Sequence, residues 1–211
     1  MLFIYPLNEK DLKKNLKDKI EKLIREGINC FDLCFSKEKD LFFVLEILKG
    51  YKILLSLDVP QKLLLKALKR SKFFLINSSY PDKKSLSYYF KLAKEFNTSL
   101  VVLSIFKRKI NMDLKIRKDL IKEIVKFSQK QIFPLEKLFV DLIILPFRYW
   151  PEHTYFPLFI ASYIKKHFPS LKTLVGMDNF AYPENNLLLK RFLFSLLSPY
   201  LDAFISKQKY L

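Results

Sequence analysis

The sequence predicts an α/β fold, a parallel (β/α)8 barrel, from three observations. Short apolar runs alternate with helical patterns along the whole chain, which is typical of a parallel sheet. The run over residues 138–150, LFVDLIILPFRYW, is apolar on both faces, as a strand covered on both sides must be. Several such runs end in a carboxylate, an amide or a hydroxyl, and a parallel barrel builds a site at one rim in this way.

The periodicity and the capping residues place the elements of the first half of the chain. Helical spacing of apolar residues predicts a first helix that Gly27 closes as a C-cap. In the second strand Cys30, Asp32 and Cys34 share one face, which we expect to point into the barrel. Pro60 suits the first turn of a helix. The predicted strands are 2–5, 28–35, 51–58 and 72–77, and the predicted helices are 9–26, 37–49, 60–70 and 81–96.

The second half of the chain continues the alternation without a break in composition. Its predicted strands are 98–106, 138–145, 171–177 and 201–205, and its predicted helices are 115–131, 158–167 and 184–198. This gives eight strands and seven helices in one domain over residues 1–211, with the last helix missing. A doubly wound open sheet is the alternative, but the chain has only 3 glycines and no glycine-rich phosphate loop.

Composition and charge limit the classes of function. Half of the 211 residues are hydrophobic, which supplies one core and excludes a disordered protein. The net charge of +17 suits a polyanionic partner, but the lysines are spread over every predicted helix and no nucleic-acid motif accompanies them. The 2 cysteines are too few for a disulfide framework and fit a reducing compartment.

No targeting or membrane segment is expected. The first five residues lack a basic leader and a charged helix follows them. The longest apolar runs fall short of the roughly 20 residues that a membrane-spanning helix requires. These features predict a soluble, cytoplasmic protein.

Four strand ends carry motifs in a fixed order: LLSLD (54–58), FFLINSS (73–79), LFVDLIILP (138–146) and TLVGMDN (173–179). They resemble the pterin-binding TIM barrels of the dihydropteroate synthase-like superfamily. They are most similar to the methyltetrahydrofolate:corrinoid methyltransferases, whose strands end in an Asp, an INS turn, an IDPLILP run and a GLSN turn. The resemblance extends from about Glu21 to Ile205.

The resemblance implies a set of residues that bind the substrate. Asp58, Asn77 and Asp141 match positions that grip the pterin ring: a carboxylate accepts from the amino and N3–H groups, and an amide both donates and accepts. Ser78 and Asp32 match neighbouring positions of the same substrate-binding set.

The resemblance also implies a catalytic residue, a substrate and a partner. Asn179 matches the asparagine that hydrogen-bonds N5 of methyltetrahydrofolate. A methyl group leaves this tertiary amine poorly unless N5 gains positive charge, and a neutral amide stabilises that charge without titrating itself. The methyl acceptor would be a cobalt(I) corrinoid on a partner protein. No metal is therefore expected in this chain.

Several features depart from the family pattern. The first strand reads FIYPLNE in place of the family's Gly-Glu-Arg-Ile-Asn motif, and Cys34 replaces an amide. After Asn179 the loop is shorter, and Asn185 and Leu189 fill the places of an Arg and an Asn. Together with the missing last helix, these departures describe either a diverged enzyme or a non-catalytic barrel that serves as a subunit or scaffold. Dihydropteroate synthase itself is disfavoured because its glycine-rich loop and its Lys- and Arg-bearing phosphate motifs are not found.

Simpler roles compete with some of these assignments. Asp58 and Asn77 could cap the helices that follow them. Asp141 lies inside its predicted strand, so capping explains it poorly. Cys30 and Cys34 suit small inward-packing residues, and a metal site lacks further ligands.

Three features of the predicted surface concern partners. Tyr149, Trp150 and Tyr155 form either a lid over a planar ligand or an aromatic loop packed on the rim. The basic run 107–109 is either solvated or attracts a polyglutamated folate tail or an acidic corrinoid protein. An apolar seam exposed where the eighth helix would lie predicts a homodimer or a stable protein partner.

Overall fold

The chain forms a closed barrel of eight parallel strands in sequence order, with β8 paired to β1. The structure is a computed structural model that describes residues 1–12, 15–106, 113–184 and 186–208. The predicted parallel (β/α)8 barrel is confirmed. Its strands are β1 (Leu2–Asn8), β2 (Cys30–Cys34), β3 (Leu54–Asp58), β4 (Leu75–Ser79), β5 (Ser99–Leu103), β6 (Leu138–Asp141), β7 (Lys172–Gly176) and β8 (Ala203–Ile205).

Seven α-helices lie between the strands in the described residues. They are α1 (Leu16–Arg25), α2 (Glu38–Leu48), α3 (Gln61–Arg70), α4 (Lys83–Glu95), α5 (Leu114–Lys130), α6 (Phe156–His167) and α7 (Leu187–Leu197). Three of these helices begin at a side chain that accepts from a backbone N–H of the first turn, namely Asp82, Asp113 and Asn186. No helix follows β8 as far as Gln208, where the described chain ends.

The first helix begins later than predicted. Residues Glu9–Asp11 form a separate 3₁₀ turn, and α1 begins only at Leu16. The Asn8 side chain accepts from the backbone of the turn, and the Asp11 side chain accepts from the N–H of Asn8. This reciprocal cap closes one short turn, which explains why the predicted continuous helix over 9–26 is wrong at its start.

Alternation along the strands divides the apolar side chains into two layers. The barrel interior holds Ile4, Cys30, Leu75, Val101, Phe139, Leu174 and Ala203. The layer between strands and helices takes the alternate residues, such as Phe31 and Leu33 of β2. The face of β2 that carries Cys30 and Asp32 therefore points into the barrel, as the period of two predicts.

Aromatic side chains cover the outer side of β1 and β8. Phe3 stacks on Phe204 with ring centroids 5.0 Å apart, and Phe194 of α7 packs against Phe204 at 5.0 Å. Phe204 is buried and Phe3 is partly buried. The prediction of an exposed apolar seam is therefore wrong for β1 and β8, because these three rings pack over the two strands.

None of the helices in the described residues is long and apolar enough to cross a membrane.

Candidate functional site

A cavity of about 290 Å³ opens at the carboxyl ends of the strands. Because all eight strands are parallel, residues that follow different strands converge at this rim. All six residues selected from the sequence line the cavity: Asp32, Asp58, Asn77, Ser78, Asp141 and Asn179. The cavity is also lined by Pro6, Cys34, Gly176, Asp178 and Ile205.

Asp32 is the most deeply placed carboxylate of the cavity. Its side chain is buried, and its Oδ2 accepts a hydrogen bond from Nδ2 of Asn77 at 2.9 Å. The thiol of Cys34 lies 3.6 Å from the same oxygen. Burial raises the pKa of Asp32 above its usual range, although the Asn77 hydrogen bond counteracts this effect. Asp32 therefore takes a proton more readily than an exposed aspartate does.

Asp58 lies beside Asp32, since Cys34 and Asp58 are paired in register across β2 and β3. Burial raises the pKa of Asp58 to about 7, and the negative charge of Asp32 adds to this shift. At neutral pH the Asp58 side chain is therefore divided between its acid and its carboxylate form.

Asp32 and Asp58 also lie close enough to Cys34 to be further candidate metal ligands, which the sequence analysis did not find. One ligand atom from each of Asp32, Cys34 and Asp58 lies within 4.8 Å of the others. Burial and the two neighbouring carboxylates raise the pKa of the Cys34 thiol, so a bound cation would have to displace its proton. Among the described residues this is the group that could hold a metal ion.

Asp141 ends β6 rather than lying inside it, so the prediction of a strand over 138–145 is wrong at its end. Ile143 has a left-handed backbone with a φ of 51°, which breaks the extended run. Its N–H donates to Oδ1 of Asp141 at 2.9 Å. Burial raises the pKa of Asp141 to about 6, while this hydrogen bond and the positive charge of Arg117 lower it.

The turn after β7 brings Asn179 to the cavity. It is a 3₁₀ turn over Met177–Asn179. A Cβ atom at Gly176 would lie 3.4 Å from Nδ2 of Asn179, an ordinary van der Waals distance, so the amide lies directly over the end of the strand.

Asp178, in the same turn, makes several hydrogen bonds that the sequence did not suggest. It accepts from Nζ of Lys190 at 2.7 Å, from Oγ of Ser206 at 2.8 Å and from the N–H of Lys207 at 2.9 Å. Burial raises the pKa of Asp178, but these donors outweigh it and the net pKa lies below the usual range. Asp178 is therefore an anion at neutral pH.

A second cavity of about 520 Å³ adjoins the first and shares Asp178 with it. Lys10, Lys190 and Lys207 line it, together with Asn8, Tyr182, Pro183 and Gln208. We refer to it as the lysine cavity. The amino-acid sequence contains no recognisable phosphate motif near β7 and β8. The structure nevertheless places two lysines there, one on α7 and one after β8.

The aromatic residues of the β6–α6 loop pack on one another at the rim. Tyr149 packs edge to face on Trp150, and Tyr155 packs in the same way on Phe159 of α6. Tyr149 and Tyr155 are exposed, and neither lines the cavity. Both the lid over a planar ligand and the aromatic loop packed on the rim therefore stay predictions. Asn185 and the basic run 107–109 lie outside the described residues.

The fold is shared with dihydropteroate synthases of known structure. The Stenotrophomonas maltophilia enzyme, solved with imidazole in its active site, has a TM-score of 0.73 and 10% identity over 98% of this chain and 87% of that one. The Coxiella burnetii enzyme in complex with pteroic acid has a TM-score of 0.74 and 15% identity over 99% and 88%. The Xanthomonas albilineans enzyme in complex with 7,8-dihydropteroate gives 0.72 and 10% over 99% and 88%.

No protein-family model and no curated protein matches the chain by sequence. At these identities the structural likeness establishes the fold, a dihydropteroate synthase-like barrel, and the chemistry has to be argued from the cavity itself.

Proposed function

We propose that the chain binds a pterin in the cavity at the carboxyl ends of its strands. The observation that carries the proposal is the convergence of Asp58, Asn77 and Asp141 on one cavity of about 290 Å³. A pterin presents an amino group and a ring N–H along one edge, and carboxylates accept from both. Dihydropteroate synthases of the same fold have been solved with pteroic acid and with 7,8-dihydropteroate, which supports a pterin as the ligand.

The hydrogen bonds within the cavity define which atoms the ligand can use. Oδ1 of Asp141 is occupied by the N–H of Ile143, so Oδ2 remains for the ring. Nδ2 of Asn77 donates one of its two hydrogens to Asp32, so Oδ1 of Asn77 is left to the ligand as an acceptor and the second N–H as a donor. Two acceptors therefore meet the donor-rich edge of the pterin, and Asp58 and Ser78 complete the binding set.

For the reaction we propose methyl transfer from methyltetrahydrofolate, with Asn179 beside N5. The nucleophile is a cobalt(I) corrinoid, supplied as the second substrate by a partner protein. N5 first takes a proton from solvent and so gains a positive charge. The cobalt(I) then attacks the methyl carbon, the bond from that carbon to N5 breaks, a cobalt–carbon bond forms, and the electron pair stays on N5, which is left neutral. The amide of Asn179 stabilises the charge on N5 without titrating itself.

A second candidate reaction is of the dihydropteroate synthase type, and the lysine cavity favours it. Lys10, Lys190 and Lys207 would hold the phosphate leaving group of a substituted pterin seated in the neighbouring cavity. The attacking group would then be an arylamine such as 4-aminobenzoic acid, which a neighbour of the same fold binds. The lysine cavity offers cations where the sequence shows no phosphate motif, although the glycine-rich loop of the dihydropteroate synthases is not found in the sequence.

The test begins with calorimetric titration of the protein with 5-methyltetrahydrofolate under anaerobic conditions. We expect saturable binding that Asp141→Ala abolishes and that Asp119→Ala leaves unchanged, because Asp119 is exposed on α5. Absence of binding by the wild-type protein up to millimolar ligand would refute the pterin site and favour the non-catalytic scaffold.

Product analysis then separates the two reactions. Methyl transfer to a reduced corrinoid protein that Asn179→Ala abolishes would support the first. Formation of 7,8-dihydropteroate that Lys207→Met abolishes would support the second.

A further inference from the structure

Arg117 is a buried cation close to the cavity. Only 1% of its surface is exposed, and it lies on α5, behind the end of β6. Its Nη1 donates to the carbonyl oxygen of Leu142 at 3.1 Å, one residue after Asp141. Burial of a guanidinium group is costly unless its hydrogen bonds and its charge are used. The position of Arg117 therefore points to a specific task at the end of β6.

The backbone that Arg117 contacts carries an unfavourable conformation. Ile143 has a φ of 51°, a region that β-branched residues rarely adopt. This turn is nevertheless what brings the N–H of Ile143 to Oδ1 of Asp141. Leu142 is held from both sides, because its N–H donates to the carbonyl of Leu174 in β7 while its own carbonyl accepts from Arg117.

Arg117 also reaches the far end of the same loop. Its guanidinium carbon lies 5.6 Å from the ring centroid of Phe156, the first residue of α6. One side chain thus contacts both ends of the segment that joins β6 to α6.

We propose that Arg117 is a positioning residue for Asp141: it holds the Leu142 carbonyl, and with it the left-handed turn at Ile143 that aims Oδ2 of Asp141 into the cavity. This proposal rests on the proposed pterin-binding function, because a pterin in the cavity is the ligand that Oδ2 of Asp141 would contact. The geometry of the turn itself does not depend on the ligand.

Arg117 also balances the charge around Asp141. In the described part of the chain, the other ionisable side chains that line the cavity are acids, namely Asp32 and Cys34 of β2, Asp58 of β3 and Asp178 after β7. The nearby Lys190 donates a hydrogen bond to Asp178. Without the cation on α5, ionisation of Asp141 would be opposed by acids alone.

The first test needs no ligand. The carboxyl carbon of Asp141 is followed by NMR over a pH titration of ¹³C-aspartate-labelled protein and assigned with Asp141→Asn. We expect the pKa of Asp141 to rise by about one unit in Arg117→Met, because a nearby cation is removed. Arg70→Met, which removes an exposed arginine of α3, should leave it unchanged. An unaltered pKa of Asp141 in Arg117→Met would overturn the proposal.

The second test separates positioning from charge by 5-methyltetrahydrofolate titration. Arg117→Lys keeps the charge but loses the planar fork that reaches Leu142, so affinity should fall about tenfold. Adding Ile143→Gly should recover most of this loss, since glycine adopts a positive φ without penalty. Wild-type affinity in Arg117→Lys, or no recovery in the double variant, would contradict the proposal.

If Arg117→Met does not fold, Arg117→Lys and its double variant with Ile143→Gly still test the proposal. If wild-type protein binds no pterin, the proposed function fails, while the NMR titration still decides the role of Arg117.

Discussion

Nδ2 of Asn77 donates to Oδ2 of Asp32 at 2.9 Å, which links the ends of β4 and β2 across the cavity. The two residues are 45 positions apart in the chain, so only the barrel brings them together. Because Nδ2 is the donor, this bond orients the amide, and the oxygen and the second N–H of Asn77 are left for other partners at the cavity that it lines. The asparagine is thus oriented before any ligand arrives.

Replacing Asn77 should therefore lower the affinity for a pterin by more than replacing an exposed residue that touches the ligand would. We expect Asn77→Ala to raise the dissociation constant for 5-methyltetrahydrofolate by roughly 10- to 100-fold, the effect of one hydrogen bond to a charged or buried partner. Calorimetric titration measures it. Ser79→Ala is the matched control, because Ser79 is buried on the same strand and does not line the cavity. Equal affinities in the two variants would show that Asn77 does not bind the ligand.

The sequence predicts the fold and the location of the cavity for one physical reason. Parallel strands buried on both faces are readable as apolar runs, and the polar residue that ends each run must lie at the common rim. Asp58, Asn77 and Asn179 follow this rule, whereas Asp141 lies inside its predicted strand and is selected by the resemblance to the pterin-binding barrels. Their roles toward a ligand remain proposals.

The features that the sequence does not reveal depend on tertiary contacts or on unusual backbone. Ile143 is β-branched and favours an extended strand, so nothing in the residue type indicates the left-handed turn that ends β6. Lys190 reads as an ordinary polar residue in an apolar helix, yet it is buried against Asp178. Lys207 comes to the lysine cavity only because β8 lies beside β1.

The raised pKa of Asp58 predicts a pH-dependent stability. The pKa of Asp58 is about 7 in the folded state, whereas an aspartate in the unfolded chain titrates near its ordinary value of about 3.9. Asp58 is exposed in part, so solvent reduces the effect of this shift on stability. Between these pH values the folded state binds more protons, so the free energy of unfolding falls as the pH rises from about 4 to 7. Asp58→Asn cannot ionise and should therefore be more stable than wild type at pH 8, with a smaller gain at pH 5.

Urea denaturation at both pH values measures this difference. Asp119→Asn is the control: Asp119 pairs with Lys122 and has a lowered pKa, so its replacement should give no gain at pH 8. An equal gain from Asp58→Asn at both pH values would show that Asp58 is not the titrating group.

The pair of Lys190 and Asp178 predicts a strong coupling energy. The Lys190 side chain is 1% exposed and that of Asp178 is 37% exposed, so replacing the lysine alone leaves a partly buried carboxylate without its closest donor. We expect Lys190→Met to lower the free energy of unfolding by roughly 1–3 kcal/mol. Asp178→Asn in the same chain should recover much of that loss, and a double-mutant cycle by urea denaturation measures the coupling. Additive losses would mean that the two side chains do not stabilise each other.

We expect the predicted homodimer to form through α7 rather than through the seam between β1 and β8. Leu188, Phe192 and Leu196 are 76%, 57% and 41% exposed. Their spacing of four residues places them on one side of the helix, where they form an apolar stripe. We expect dimers in sedimentation experiments that become tighter with added salt, because screening reduces the repulsion between two chains of charge +17.

Phe192→Ser should convert these dimers to monomers, whereas Phe43→Ser, at an equally exposed phenylalanine of α2, should not. Monomeric wild-type protein at micromolar concentration in both low and high salt would exclude self-association through this stripe. Dimers that Phe192→Ser leaves intact would place the interface elsewhere on the barrel.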